Sequence, residues 1–297
     1  MHADISLLRH QGPMLNVVAS ILLNALKSGN EEIKEHLLRS EYSNVIPNST
    51  IVERYHQWLG CEEKYQGAIA PHLFPLWTYP QLFEMGRSLN LPLHKVLNQG
   101  VKMIINSPIT RNSGLNSKAE IYQIQNMEKK YRVSQRLTTG THHDPTALIA
   151  EIYAVILKDT KSVLKKAAAH QQIDTSKLSF IERLMITKED AKSYAYLSGD
   201  VNPIHLSKSV AKLMGLKGSI MHGFGLFAMV FEKLQNQGFS LNEIDIRFIK
   251  PVYLGSEIDL YISESHKPNT YGIKVISTDR KHLHMAGEFK YKTLTIS

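Results

Sequence analysis

The 297-residue sequence contains a single cysteine, Cys61. One thiol cannot close an internal disulfide, so nothing ties the fold to an oxidising compartment, and Cys61 reads as a packed or surface thiol and not a nucleophile. Long apolar runs are also missing, since no stretch approaches the ~20 residues of a membrane-spanning helix. Met14–Leu26 is apolar and follows Arg9. However, Asp4 lies where a leader would be basic, Asn16 and Asn24 interrupt the run, and no small-x-small cleavage signal follows. An amphipathic helix of a cytoplasmic protein is expected there, not a secretion signal. A Gly-rich loop between strand and helix is absent too, so no nicotinamide, flavin or other nucleotide cofactor is expected. Long arginine-rich runs are missing as well.

Apolar residues make up 43% of the chain and charged ones 21%, enough for real cores and too little charge for a disordered tail. The length suits two domains of ordinary size. The formal charge of +8 attracts polyanions in general without choosing among nucleic acid, anionic lipid, phosphorylated cofactors or an acidic protein. The basic residues come in short groups, Lys129–Lys130, Lys161, Lys165–Lys166 and Arg280–Lys281. That scatter argues against a dedicated nucleic-acid binder.

Residues 1–60 are expected to be a helical extension. Leu15, Val18, Ile21 and Leu22 recur at helical spacing, as do Ile33, Leu37 and Leu38, and Pro47-Asn48-Ser49 then breaks the pattern. The remainder carries a faint repeat of elements. In the second copy a helix over His222–Gln237 stops at Gly238. Four alternating segments follow: Ile244/Ile246/Phe248, Ile258/Leu260/Ile262, Tyr271/Ile273/Val275 and Leu283/Met285/Gly287/Phe289/Tyr291. Period two over four consecutive segments predicts an antiparallel sheet with one covered face. The first copy repeats the order, with a helix over Tyr79–Leu89 and strands near Val101–Ile105, Glu120–Ile124, Tyr131–Leu137 and Leu148–Ile156. Lys161–Gln172 is the expected connection. The fold class is α+β, twice a long helix wrapped by an antiparallel sheet, with units over 61–165 and 166–297.

Chemistry concentrates in Tyr194–His205, Tyr-Ala-Tyr-Leu-Ser-Gly-Asp-Val-Asn-Pro-Ile-His. Pro203 fixes its own φ and pushes Asn202 out of the helical region, so the segment bends. Ser207 is a plausible cap for a short helix over Lys208–Met214 that Gly215 ends. Such a bend can bring the Asp200 carboxylate and the His205 imidazole over one water. Adding water across a C=C bond needs one group to activate the water and another to protonate the neighbouring carbon. Asp and Asn beside Pro are also common turn formers without chemistry.

The surrounding pattern decides between these readings. Tyr194, Leu197, Ser198, Gly199, Asp200, Asn202, Pro203, Ile204, His205 and Ala211 fill, at fixed spacing, the positions of the hydratase 2 signature. The segment thus resembles the MaoC-like dehydratases. Ile220-Met221-His222-Gly223 resembles the start of that family's central helix, and Arg247–Glu257 resembles its F-x-x-P-V-x-x-G-D/E strand, with Ser256 inserted. The resemblance runs from about Leu178 to the C-terminus and implies a hotdog fold, here in tandem. It implies that Asp200 and His205 hold the reacting water, that Asn202 and Ser198 support them, and that the Gly223 N–H polarises the thioester carbonyl. His222 is a candidate pocket residue with a competing role in fixing the helix start. Phe224 stands where the family commonly has Met, which bears on pocket size. Ala70-Pro71-His72-Leu73-Phe74-Pro75 resembles the segment before the helix in the family's degenerate partner domains, which implies a non-catalytic first copy and one active site per chain.

The expected function is reversible hydration of trans-2-enoyl thioesters of coenzyme A or an acyl-carrier protein to (R)-3-hydroxyacyl thioesters. The rival is an acyl-thioester-binding or scaffold subunit of the same fold without turnover. No metal is expected. Thr141-His142-His143-Asp144 reads as a loop, and His282 and His284 would share a strand face without further ligands. The substrate thioester is the expected partner, without nucleic acid or a membrane span, and the chain is expected as a monomeric pseudo-dimer or a homodimer.

Overall fold

The structure, a computed structural model, describes residues 4–12, 14–17, 33–34, 37–92, 96–158 and 172–292. Val18, Ile21 and Leu22 of the expected N-terminal helix lie outside the described residues, as does the expected connection Lys161–Gln172 apart from Gln172.

The first half runs β1 (Leu38–Val45), α1 (Ser49–Leu59), β2 (Ala68–Ile69), α2 (Pro75–Ser88), β3 (Val96–Ile105), β4 (Ile109–Thr110), β5 (Leu115–Asn126), β6 (Lys130–Gly140) and β7 (Leu148–Leu157). The second runs β8 (Ser179–Ile186), α3 (Lys188–Ser198), α4 (Pro203–Leu206), α5 (Lys208–Leu213), α6 (Gly223–Asn236), β9 (Ser240–Phe248), β10 (Ser256–Glu264), β11 (Thr270–Ser277) and β12 (Leu283–Lys292). Ten strands form one antiparallel sheet in the order β1-β5-β6-β7-β3-β9-β12-β11-β10-β8. The order is a palindrome in element type: each half contributes five strands, and the halves join where β3 pairs with β9, Val101 opposite Ile246 and Met103 opposite Ile244. Continuous pairing across the seam leaves β3 and β9 without a free edge.

The alternation in the sequence becomes burial. Along β5, residues 115, 117, 119 and 121 are buried and those between are not, and β7 begins the same way. Helix α6 differs, since Phe224, Leu226, Phe227, Ala228, Val230, Phe231 and Leu234 bury most of its circumference. A helix apolar on nearly every side belongs in the interior. His222 caps its start and Gln237 its end, as the pattern predicted.

Two expectations need correction. Residues 38–60 are not part of a helical extension: Leu38–Val45 is an edge strand paired with β5, and Ser49–Leu59 is a separate helix. The helical spacing of Ile33, Leu37 and Leu38 loses to tertiary pairing. Ser40 faces inward and accepts a hydrogen bond from Gln81 of α2 at 3.3 Å, so the first unit's sheet begins well before residue 61. Helix α2 also starts at Pro75, earlier than Tyr79, with Pro75 in its first turn. His284 lies in β12 and His282 immediately precedes it, and the two rings lie on one side with centroids 6.3 Å apart. The Thr141–Asp144 segment is a turn: the Thr141 N–H donates to the Asp144 carbonyl at 2.9 Å, and Ser107 donates its hydroxyl to the Asp144 carboxylate.

A charged clasp ties the halves together behind α6. Glu232 is buried, and its carboxylate accepts from Tyr65 Oη at 2.6 Å, Lys64 Nζ at 2.8 Å and His72 Nε2 at 2.8 Å. His72 is in turn held by Tyr55 Oη at 3.0 Å from its Nδ1. Burial pushes the Glu232 carboxyl up, but the donors from His72, Lys64 and Tyr65 outweigh it and hold the group at about 2. A folded value below the unfolded one near 4.5 stabilises the fold above that pH and loses the stabilisation as pH falls toward 2. The shift corresponds to roughly 3 kcal/mol. Glu232→Gln should therefore lower stability at pH 7 by ~2–4 kcal/mol and flatten the loss of stability between pH 5 and 2, read by urea unfolding across pH.

Candidate active site

The site begins at the end of α3. Thr187 and Asp190 form a reciprocal capping box at its start, and Gly199 at φ +77° terminates it. An L side chain at Gly199 would be strained by that φ, and its Cβ would stand 2.7 Å from Met14 Cβ. Ser198 turns its hydroxyl back to donate to the Tyr194 carbonyl at 2.7 Å and accepts the Asp200 N–H at 3.2 Å. Asn202 caps α4, its Oδ1 accepting from the Ile204 N–H at 3.3 Å, and Pro203 occupies the first helical position. The bend predicted from Asn202-Pro203 is therefore a cap and one helical turn, and that turn presents His205. Ser207 caps α5 by accepting from the Val210 N–H, as expected.

Two imidazoles cross-link the motif to the start of α6. His205 donates Nδ1–H to the Ile220 carbonyl at 2.9 Å, and His222 donates Nε2–H to the Asp200 carbonyl at 2.9 Å. Each carbonyl accepts, so each imidazole's tautomer is assigned by its partner. The rings stack with centroids 3.6 Å apart and planes 24° apart, and the Tyr194 ring lies 4.9 Å beyond His222. His205 is 8% exposed and His222 is 1% exposed. Burial pushes the His205 imidazole below its ordinary value, against the pull of the Asp200 charge and the Ile220 carbonyl. Burial, then the neighbouring His205, pushes His222 much further down, against the Asp200 carbonyl. Both rings are neutral near pH 7. His205 thus holds an Nε2 lone pair beside a carboxylate. His222 Nδ1 is buried and without a hydrogen-bond partner.

Ligand atoms of Asp200, His205 and His222 all lie within 4.8 Å of one another, and no other such cluster occurs among the described residues. His222 thus lies against the His205 ring and is tied to the Asp200 carbonyl, at the N-cap position of α6. Phe224 is buried between the halves, with ring centroids 5.4 Å from Phe74, 5.8 Å from Tyr79 and 5.9 Å from Phe248.

Gly223 opens α6, where first-turn N–H groups have no acceptor within the helix and the dipole favours negative charge. A Cβ at this position would sit 2.8 Å from the Phe248 ring, so only glycine lets the strand approach so closely. Tyr79, in α2 of the other half, was not singled out from the sequence. Its hydroxyl accepts a weak hydrogen bond from Asn98 at 3.5 Å. Burial first, then the charges of Tyr194 and Asp200, push its phenol well above the ordinary value. No motif surrounds Tyr79, and only the seam between the halves brings it to the site.

The first half offers no equivalent pair at the matching turn. Helix α1 ends at Gly60, φ +63°, as α3 ends at Gly199, but Cys61 follows in place of a carboxylate. Burial pushes the Cys61 thiol far up, so it stays protonated.

Such a pairing of two helix-and-sheet units is the double hotdog arrangement. A conserved hypothetical protein of Mycobacterium tuberculosis described as having that fold superposes with TM-score 0.54 at 11% identity, covering 87% of this chain and 96% of its own. HtdX of the same organism superposes with TM-score 0.68 at 16% identity, covering 85% and 99%. Residues 169–286 match the family profile of the MaoC like domain. A 3-hydroxyacyl-thioester dehydratase X of M. tuberculosis is 36% identical over 81 residues, which span 27% of this chain and 29% of that relative. No helix among the described residues is long and apolar enough to cross a membrane.

Gly223→Ala should displace the Phe248 ring and cost ~1–3 kcal/mol of stability by thermal unfolding. Adding Phe248→Leu should recover most of that loss, because it removes the clashing edge.

Proposed function

We propose that the chain catalyses reversible hydration of trans-2-enoyl thioesters to (R)-3-hydroxyacyl thioesters. The observation that carries this reading is the His205 Nε2 lone pair set beside the Asp200 carboxylate, both next to the N-terminus of α6. A water between the two groups loses a proton to the pair as its oxygen bonds to C3. His205 Nε2 receives that proton, and the neighbouring carboxylate favours the imidazolium so formed. Electron density moves to the thioester oxygen, where the Gly223 N–H and the helix dipole stabilise the enolate, an interaction worth ~3 kcal/mol for a well-placed donor. The pair then returns the proton to C2. Oxygen and hydrogen arrive from one face, which is how a fixed pair enforces a single stereoisomer. Asn202 and Ser198 hold the turn that positions Asp200. His222 keeps the His205 ring in plane.

The MaoC-like domain and the dehydratase similarity of this segment support the same reaction class. The aromatic seam of Phe74, Tyr79 and Phe224 supports an acyl tail that runs toward the first half. Cys61 at the matching turn supports one site per chain.

Asp200→Asn and His205→Ala should each lower kcat by ~10²–10⁴-fold with the far-ultraviolet circular dichroism retained, following loss of the conjugated enoyl absorbance of trans-2-enoyl-CoA. Product should be consumed by an (R)-selective and not an (S)-selective dehydrogenase. Full activity in either variant would sink the assignment. Because the His205 value lies below 6.5, kcat/KM should stay level from pH 8 down through 6.5 and fall only at more acidic pH. An acidic limb above 6.5 would contradict a neutral His205 acting as base.

A further inference from the structure

From Val201 to Phe231 the chain carries no Asp or Glu, while Lys208, Lys212 and Lys217 fall within the same stretch. All three lysines are exposed, and none makes an ion pair among the described residues. Among these lysines stand exposed apolar side chains. Leu213 is 86% exposed and Met214 is 56% exposed, and Leu206, the residue after His205, is also exposed. The patch is mechanically continuous with the site. It begins beside His205, and it ends at Lys217, whose N–H donates to Tyr253 Oη at 3.4 Å. Beyond it, Ser219 and Met221 are bonded to Leu254 and Val252, and Ile220 accepts from His205.

We infer that this face, α5 with its flanking residues, docks an acidic protein that carries the acyl chain on a thioester arm. The inference rests on the hydration reading for what the arm delivers. Free lysines around projecting leucine and methionine suit a partner surface with carboxylates around an apolar groove. They suit a free nucleotide carrier less well. Its phosphates would use the lysines, but side chains so exposed project outward and line no slot for a base. A second copy of the chain fits poorly as well, because an isologous contact would set these lysines against their own copies.

The test uses the full-length protein with a bacterial acyl-carrier protein. Binding of the holo-carrier without an acyl group is measured first, for the wild type and for Lys212→Glu and Leu213→Asp, both at exposed positions outside the chemistry. Affinity should fall about tenfold or more in each variant and weaken with added salt. The same trans-2-enoyl group is then presented on the carrier protein and on coenzyme A. The variants should lose about tenfold in kcat/KM with the carrier-linked substrate and stay within about twofold with the CoA ester. Carrier binding that is absent, or unchanged in both variants, overturns the inference. So does an equal loss with both substrates, or a wild-type dimer that Leu213→Asp dissociates in sedimentation. If no thioester is turned over, the hydration reading fails, while the binding result still judges the surface.

Discussion

The site depends on two crossed hydrogen bonds. The motif's imidazole, His205, reaches forward to the carbonyl of Ile220, and the imidazole at the start of α6, His222, reaches back to the carbonyl of Asp200. Each bond satisfies a buried carbonyl and assigns a tautomer, and together they lock the turn against the helix. The stacked rings then leave no freedom for His205 to rotate. Carboxylate, lone pair and helix N-terminus stay together because the same two residues hold the backbone that carries them. Such pre-organisation is what makes proton transfer and oxyanion stabilisation effective.

The division of labour between the halves follows from one sheet. Pairing of β3 with β9 makes ten strands continuous, so the two long helices lie in a common interior. On one side of that interior the seam brings Phe74 and Tyr79 against Phe224, with Tyr79 close enough to Asp200 to feel its charge. Behind α6, Glu232 fills the interior with a saturated charged cluster contributed by Lys64, Tyr65 and His72. The two similar scaffolds thus differ in what their matching turns carry, Asp200 in one and Cys61 in the other.

Much of this was legible in the residues. The long strands followed from period-two alternation, and α6 from an apolar run closed by Gly238, because local patterns that agree with the tertiary fold need no further information. The bend at Asn202-Pro203 was legible because those residues dictate their own backbone, and the motif Asp200–His205 because ten positions match a signature at fixed spacing. Strand β1 was misread, since its pattern of Leu38, Ser40 and Tyr42 is only half apolar and gains meaning from pairing with β5. Tyr79 was invisible for the same reason, as contacts between halves leave no periodic mark. For His222 the sequence left a pocket residue and a histidine that fixes the helix start as readings, and neither showed that its ring stacks 3.6 Å from that of His205.

By itself the sequence determined the central helix with the strands that follow it, the caps and bends of the motif, and the charge pattern of residues 201–231, because each depends on neighbours close in the chain. The tertiary structure alone decided which imidazole nitrogen is free, how the two imidazole rings stack, and that Tyr79 of the first half lies near Asp200. Those outcomes depend on burial and on hydrogen bonds between segments remote in sequence, and such quantities exist only once the chain has closed on itself.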